Sequence, residues 1–461
     1  MSILAAFMVP HPPMIVPEVG RGSEEQVMAT GKAYIEVAEE IARLKPDTIV
    51  ISSPHTVMYA DYFHISPGKS AKGSFAQFRA PQVRFKEAYD VELVRAITFL
   101  ADREGFPAGI QGQRDSALDH GTMVPLYFIH KFYSDFKLVR VGLSGLPLED
   151  HYRLGQLIGK AADETGRRVV YIASGDLSHK LQSYGPYGFA PEGPEYDQRI
   201  MDVCGRGAFG ELFDFDENFC ERAAECGHRS FVIMAGALDG MALEVKKLSH
   251  EDVTGVGYGI CSFRPVGLDD DRRFLDIRLK EEEEKLVEDR AKCDPWVQLA
   301  WKSLESYVCN HKVISVPEGL PDELTDSRAG AFVSVHKQGR LRGCIGTILP
   351  VRTCLAEEII YNAVSAAVHD TRFNPIQPDE LKWLEINVDV LSQPEEIASE
   401  ADLDVKRYGV IVSKGRRRGL LLPDLNGVDS VEQQVSIARQ KAGIGPDEKV
   451  RLQRFEVIRH T

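Results

Sequence analysis

Short apolar runs alternate with amphipathic stretches through the first 265 residues, and three of those runs end alike. Ile3 to Val9 leads into Pro10-His11-Pro12-Pro13, and Thr48-Ile49-Val50-Ile51 into Ser52-Ser53-Pro54-His55. Val169-Val170-Tyr171-Ile172-Ala173 leads into Ser174-Gly175-Asp176-Leu177-Ser178-His179. Unbroken apolar runs of this length are the pattern of buried parallel strands, and proline or small turn-forming residues stop them and stiffen the adjoining turn. Each run therefore presents a histidine at the carboxyl end of a strand, where open α/β sheets carry their chemistry. Between the first two runs, Val27, Tyr34, Ile35, Ala38, Ile41 and Ala42 recur near helical spacing over residues 24–44. Strand, turn and helix open a βαβ unit.

The same reading predicts a strand over residues 137–142, helices over 147–162 and 196–213, a buried helix over 231–238, and closing strands over 244–248 and 256–263. Asp119-His120-Gly121 precedes a helix predicted over 123–132, with Pro125 in its first turn, where a missing N–H costs nothing. Asp119 reads as an N-cap, and His120 reads equally as a residue positioned by the helix start to face a ligand. His64 and His130 sit in apolar or mixed surroundings and read as structural. Residues 184–194, rich in Gly, Pro and Tyr, read as a surface loop over a pocket. In Ala223-Ala224-Glu225-Cys226-Gly227-His228-Arg229, Glu225, Cys226 and His228 are all metal ligands by chemistry. Two histidines call for an anionic third ligand, although Glu225 also reads as an ordinary helix-end carboxylate.

Taken together and in order, H-P-P, S-S-P-H, D-H-G-x-x-V-P-L, S-G-D-L-S-H and E-C-G-H-R-S resemble the class III extradiol dioxygenases of the LigB type and their relatives, the Memo proteins, over roughly residues 1–265. The resemblance implies an α/β sandwich around a central sheet. It also implies a non-haem Fe(II) held by His11, His55 and Glu225, with His179 as acid/base, His120 as a ligand-supporting or proton-handling residue, and Asp119 counted with these two among the catalytic residues. The substrates implied are a small aromatic diol and O₂. Memo relatives carry a cysteine where Glu225 is placed, so Cys226 is the alternative ligand and zinc or copper the alternative metals. On that alternative the domain is a metal-binding redox or scaffold protein without ring cleavage.

Residues 266–294 carry Asp269-Asp270-Asp271 and Glu281-Glu282-Glu283-Glu284 and read as a charged, helical connector. Trp296, Leu299, Ala300, Leu304, Tyr307 and Val308 then mark an amphipathic helix opening a second domain over 295–461. Strands are predicted over 330–336 and 341–346, a helix over 353–367, a strictly alternating strand over 384–390, and a hairpin over 410–422 with the basic tip Arg416-Arg417-Arg418. That tip reads as a solvated turn or as a docking patch for an acidic partner or a phosphate-bearing ligand. Leu341-Arg342-Gly343-Cys344-Ile345-Gly346, Asp370-x-Arg372-Phe373-x-Pro375, and Arg418-Gly419-Leu420-Leu421-Leu422-Pro423 with Lys441-Ala442-Gly443 resemble an AMMECR-type α+β domain. Genomes place that module beside a Memo-type and a radical-SAM protein, so the resemblance implies a radical-SAM partner. Cys344, between two glycines, reads as a packed thiol or a nucleophile.

Composition narrows the classes. At 461 residues the chain exceeds one ordinary domain, and 43% apolar with 27% charged residues is globular. A net charge of −14 argues against nucleic acid or an anionic membrane as partner. No spanning apolar run and no leader pattern at residues 1–7 are present, and the eight cysteines form no C-x-x-C pair, which together point to the cytoplasm. A homo-oligomer is compatible with all of this.

Overall fold

The computed structural model describes residues 2–113, 117–425 and 427–461; Met1, the first residue of the leader reading, lies outside them. The chain divides into two compact units, residues 1–278 and 279–461.

The first unit is built on strands β1 (Ile3–Val9), β2 (Thr48–Ser53), the hairpin β3 (Ser70–Phe75) and β4 (Ala80–Ala88), β5 (Lys137–Gly142), β6 (Val169–Ser174), β7 (Met241–Glu251) and β8 (Tyr258–Leu268). Its helices are α1 (Met28–Leu44), α2 (Val91–Glu104), α3 (His120–Ile129), α4 (Leu148–Thr165), α5 (Glu192–Arg206), α6 (Glu217–Ala223) and α7 (His228–Ala237). Six strands form one sheet in the order β5-β2-β6-β1-β8-β7. The first four are mutually parallel, whereas β8 runs antiparallel to β1 and β7 antiparallel to β8. Every residue of β2 and β6 is buried, so both faces of the sheet are covered. One cover is a core in which Tyr34, Val37 and Ile41 of α1 and Val124 and Phe128 of α3 meet Phe7, Ile51 and Ile172.

The parallel strands end level. Val9 pairs with Ser174 and Ser52 with Ala173, so the segments after β1, β2 and β6 leave the sheet side by side. The predicted helix at 123–132 starts earlier, at His120, because the Asp119 carboxylate accepts from the Thr122 N–H at 2.9 Å and caps it.

A helix, α8 (Phe274–Lys292), occupies the charged stretch. The second unit contains α9 (Pro295–Asn310), β9 (Gly330–Lys337), β10 (Arg340–Gly346), α10 (Leu355–Val368), β11 (Leu384–Leu391), β12 (Glu395–Ile397), β13 (Tyr408–Lys414), β14 (Arg417–Leu421), α11 (Val431–Lys441) and β15 (Arg451–His460). Its antiparallel sheet runs β10-β9-β11-β15-β13-β14, with β12 also on β15. One core joins α9 and α10 to β9 and β11, and a second joins α11 to β13 and β14. At the basic hairpin tip, Arg417 and Lys414 both pair with Glu448, so part of the tip's charge is neutralised within the chain. Both units are mixed α/β structures with the classes expected of them.

Arg342 anchors the Gly343-Cys344 strand: its Nε and Nη2 donate to Glu380 at 3.0 and 2.8 Å. Burial opposes the Glu380 charge, but the Arg342 guanidinium, the Gln377 N–H and Lys337 outweigh it and hold the carboxyl at about 2, against an ordinary 4.5. Because the folded value is depressed, the pair's stabilisation is complete above about pH 4.5 and is lost as pH falls through about 2. All three tryptophans, Trp296, Trp301 and Trp383, lie in this unit. Acid titration of tryptophan emission should therefore show Glu380→Gln destabilised by about 2 kcal/mol near neutrality, converging on the parent near pH 2.

Candidate metal centre

The strand ends after β1 and β2 and the start of α3 deliver three of the predicted histidines to one place. His11, His55 and His120 form a tight group, with ring centroids 4.8 Å apart for His11–His55, 5.3 Å for His11–His120 and 4.0 Å for His55–His120. His11 Nδ1 lies 3.0 Å from Ser174 Oγ. The single Ser174 proton is donated to the Gly121 carbonyl at 2.6 Å, so Nδ1 must donate and Nε2 of His11 carries the free lone pair. That lone pair faces His55 Nε2 at 3.0 Å and Cys226 Sγ at 3.7 Å.

His55 and His120 are held from behind. Ser53 Oγ receives the His55 N–H at 3.2 Å and donates to Asp119 at 2.7 Å. Asp119 also caps α3 and lies 3.9 Å from Arg140, which is 1% exposed and donates to Thr56 and the Ala117 carbonyl. Burial works against the Asp119 charge, but Arg140, Ser53 and Thr122 keep its carboxyl below the ordinary value. Asp119 is thus both the cap and the support of the pocket, and His120 does face it.

Glu225 does not join the histidines. The turn after α6 passes through Ala224 in the left-handed region, φ 54°. It sends Glu225 back onto the first turn of α7, where its carboxylate accepts from the His228 N–H at 2.6 Å and from Tyr196 at 3.5 Å. Unpaired N–H groups at a helix start attract a carboxylate, and this one is spent there. Burial pushes its carboxyl up to about 7. Cys226, one residue on, turns inward instead and receives the Asp176 N–H on its sulfur at 3.3 Å. His228 is buried elsewhere, bonded to the Leu212 carbonyl.

The ligand-bearing atoms of His11, His55 and Cys226 all lie within 4.8 Å of one another, as do those of Asp176, His179 and Cys226. Around a tetrahedral ion with Zn-like bond lengths, N···N edges are about 3.3 Å and N···S edges about 3.6 Å. The observed 3.0 and 3.7 Å bracket these values, so the donor set fits a metal. Burial, then the neighbouring imidazoles, keep His11 well below its ordinary pKa, and burial with His55 brings His120 to about 4. Neutral imidazoles are ligand-ready. Burial, with Asp176 and Glu225 nearby, raises the Cys226 thiol well above its ordinary value. A buried thiolate here therefore calls for a cation.

His179 stands at the rim, its Nε2 3.8 Å from Asp176, with Tyr187 of the predicted cover loop stacked on its ring at 5.0 Å. Asp176 is the residue that sequence reasoning passed over, although it lies inside the quoted Ser-Gly-Asp motif. Its Oδ1 accepts the His11 N–H at 2.7 Å and its Oδ2 lies 4.0 Å from His11 Nε2. The available signal was a carboxylate three residues before His179 in the turn that follows a buried strand. His64 and His130 lie outside the centre, bonded to the Gln111 carbonyl and to Glu87.

Residues 5–261 match the family described as the catalytic LigB subunit of aromatic ring-opening dioxygenase, and residues 297–460 match AMMECR1. A Clostridium acetobutylicum protein is 40% identical across 100% of this chain and 99% of its own length. A Thermotoga maritima protein is 53% identical over 36% of this chain and 97% of its own. A Pyrococcus horikoshii crystal structure is 33% identical, with TM-score 0.34 over 36% of this chain and 88% of that one. Among the described residues no helix is long and apolar enough to cross a membrane.

Gly175 and Gly227 bring the two loops into backbone contact: a Cβ at Gly175 would lie 2.1 Å from Gly227 Cα. Gly175→Ala should force the Asp176 and Cys226 segments apart and destabilise the first domain by about 1–3 kcal/mol. Thermal unfolding by circular dichroism should show a lowered transition, with the tryptophan-reported transition of the second domain unmoved.

Proposed function

We propose, for a chain that belongs to the LigB family through residues 5–261 and carries an AMMECR1 domain over 297–460, that the first domain is a thiolate-ligated metal centre of redox type, with the metal held by His11, His55 and Cys226. The observation that supports this reading over an Fe(II) dioxygenase is the opposed orientation of Cys226 and Glu225. Two imidazoles and one carboxylate suit non-haem Fe(II), and the carboxylate is engaged at a helix start. Two imidazoles and a thiolate suit copper or zinc, and copper alone of these exchanges electrons. When bound, such a metal supplies Lewis acidity and, as copper, one-electron exchange.

The chain's own residues prepare the pocket. Ser174 fixes the His11 tautomer so that Nε2 faces the metal position, the kind of support that orients metal-bound histidines elsewhere. His55, the more exposed imidazole, lies on the open side. His179 and Asp176 hold a proton site beside the centre, at His179 Nε2, suited to a hydroxyl of an incoming ligand. Tyr187, stacked on His179, limits water at that rim.

A second reading, extradiol cleavage of a catechol by Fe(II) and O₂, is favoured by the family itself and by His179 and His120 flanking one pocket. One experiment separates the two. The full chain is stripped of metal and loaded separately with copper, zinc and, anaerobically, Fe(II). Cys226→Ala, His11→Ala and His55→Ala should each lose 10-fold or more in copper or zinc affinity, whereas Glu225→Gln should bind a full equivalent. His179→Ala should also keep its metal. Ring-opened product from the Fe(II) form with catechol and O₂, together with metal loss in Glu225→Gln alone, would replace this reading by the dioxygenase.

A further inference from the structure

The hairpin of β3 and β4 leaves the outer edge of β4 without a strand along it. Two hydrogen bonds fix which backbone groups lie on that edge. The Tyr89 N–H donates to the Lys69 carbonyl at 2.9 Å, and the Lys72 carbonyl turns away from β4 to accept the Leu118 N–H at 2.9 Å. Counted back along the register, Glu87 and Phe85 exchange hydrogen bonds with Ala71 and Gly73, whereas Lys86 and Arg84 stand opposite Lys72 and Ser74 in non-bonded pairs. The N–H and C=O groups of Arg84 and Lys86 therefore point outward, and they find no partner among the described residues. Beyond Ala88 the edge is closed by a bridge between Tyr89 and Leu138 of β5.

The open edge runs along a cleft of about 740 Å³, lined by residues 82–88 together with Tyr127, His130, Lys131 and Phe136. The two faces of β4 differ. Phe85 and Glu87 are buried, whereas Arg84 and Lys86 are exposed. Lys86 lies directly across the hairpin from Lys72, and neither forms an ion pair among the described residues. The Arg84 guanidinium donates only from Nε, to the Pro81 carbonyl at 2.9 Å. Like charges set opposite each other in a ladder repel, so one face of this hairpin carries three uncompensated cations in a chain of net charge −14. The acids that line the cleft are engaged elsewhere, Glu87 with His130 at 2.9 Å and Glu18 with the Tyr127 hydroxyl at 2.8 Å. Cations on an open edge keep identical edges apart, because a second β4 would bring Arg84 and Lys86 against their own counterparts. They favour a strand of the opposite charge.

We propose that β4 takes up an extended acidic peptide from a partner protein as an added strand, its main chain bonded to Arg84 and Lys86. Its carboxylates lie on the face of those two side chains, and its alternate, apolar side chains lie on the Phe85 face, where His130 and Phe136 line the cleft. Main-chain pairing supplies affinity in such an arrangement, and the alternation supplies specificity.

Fluorescence anisotropy of the full chain with labelled peptides of alternating valine and glutamate tests this, together with amide exchange resolved by residue. The valine–glutamate peptide should bind, and a valine–lysine counterpart should bind about tenfold or more weakly. Arg84→Glu combined with Lys86→Glu should reverse that preference. Both side chains are exposed, so the unfolding transition of this variant by circular dichroism should match the parent. In the free chain the Arg84 and Lys86 amides should exchange fast and those of Phe85 and Glu87 slowly; bound peptide should slow the first pair by about tenfold or more. Equal affinity for the two peptides, or an acidic peptide whose affinity survives the charge reversal, would overturn the proposal. Binding that leaves the Arg84 and Lys86 amides unprotected would overturn it too, since the basic face would then attract charge without adding a strand.

Discussion

The common level at which the parallel strands of the first sheet end is the constraint on which the rest of that domain depends. Hydrogen-bonded register between β1, β2 and β6 places Met8, Ser52 and Ala173 in line, and the residues just beyond them have nowhere to go but a shared crevice. Side chains separated by long stretches of sequence are thereby brought within bonding distance. The turns need only be short and stiff, which the prolines and glycines after each strand ensure.

Burial then decides the protonation of the gathered groups. Imidazoles crowded together and withdrawn from water cannot all be charged, and they relieve the conflict by remaining neutral. The thiol remains protonated for the same reason. The result is a cluster of donors that is tolerable without a cation and strongly receptive to one, since a metal replaces protons that the surroundings already disfavour or share.

Much of this was legible in the chain. The three His-bearing strand ends could be read because a buried parallel strand writes an unbroken apolar run, and the antiparallel strand at Leu384 because a half-buried one alternates. The start of α3 was placed three residues late, at the apolar run, although the N-cap reading of Asp119 already pointed to His120. The choice between Glu225 and Cys226 was closed to sequence altogether. Adjacent side chains point different ways, and the direction depends on the left-handed turn at Ala224, an alanine in a conformation that alanine rarely adopts.

The backbone contact of Gly175 with Gly227 also limits how a chain of this kind could change its chemistry over descent. A slip of one residue in the loop would exchange Cys226 for Glu225 at the third position and convert one donor set into another without altering composition. The two glycines, touching main chain to main chain, hold the loop in register and close that route. A lineage that trades thiolate for carboxylate must therefore do so by replacing residue 226 itself, and must find another group for the helix start if Glu225 is lost as well. The loop's register is thus fixed by two contacts between main chains, and only a substitution could change which side chain it turns inward.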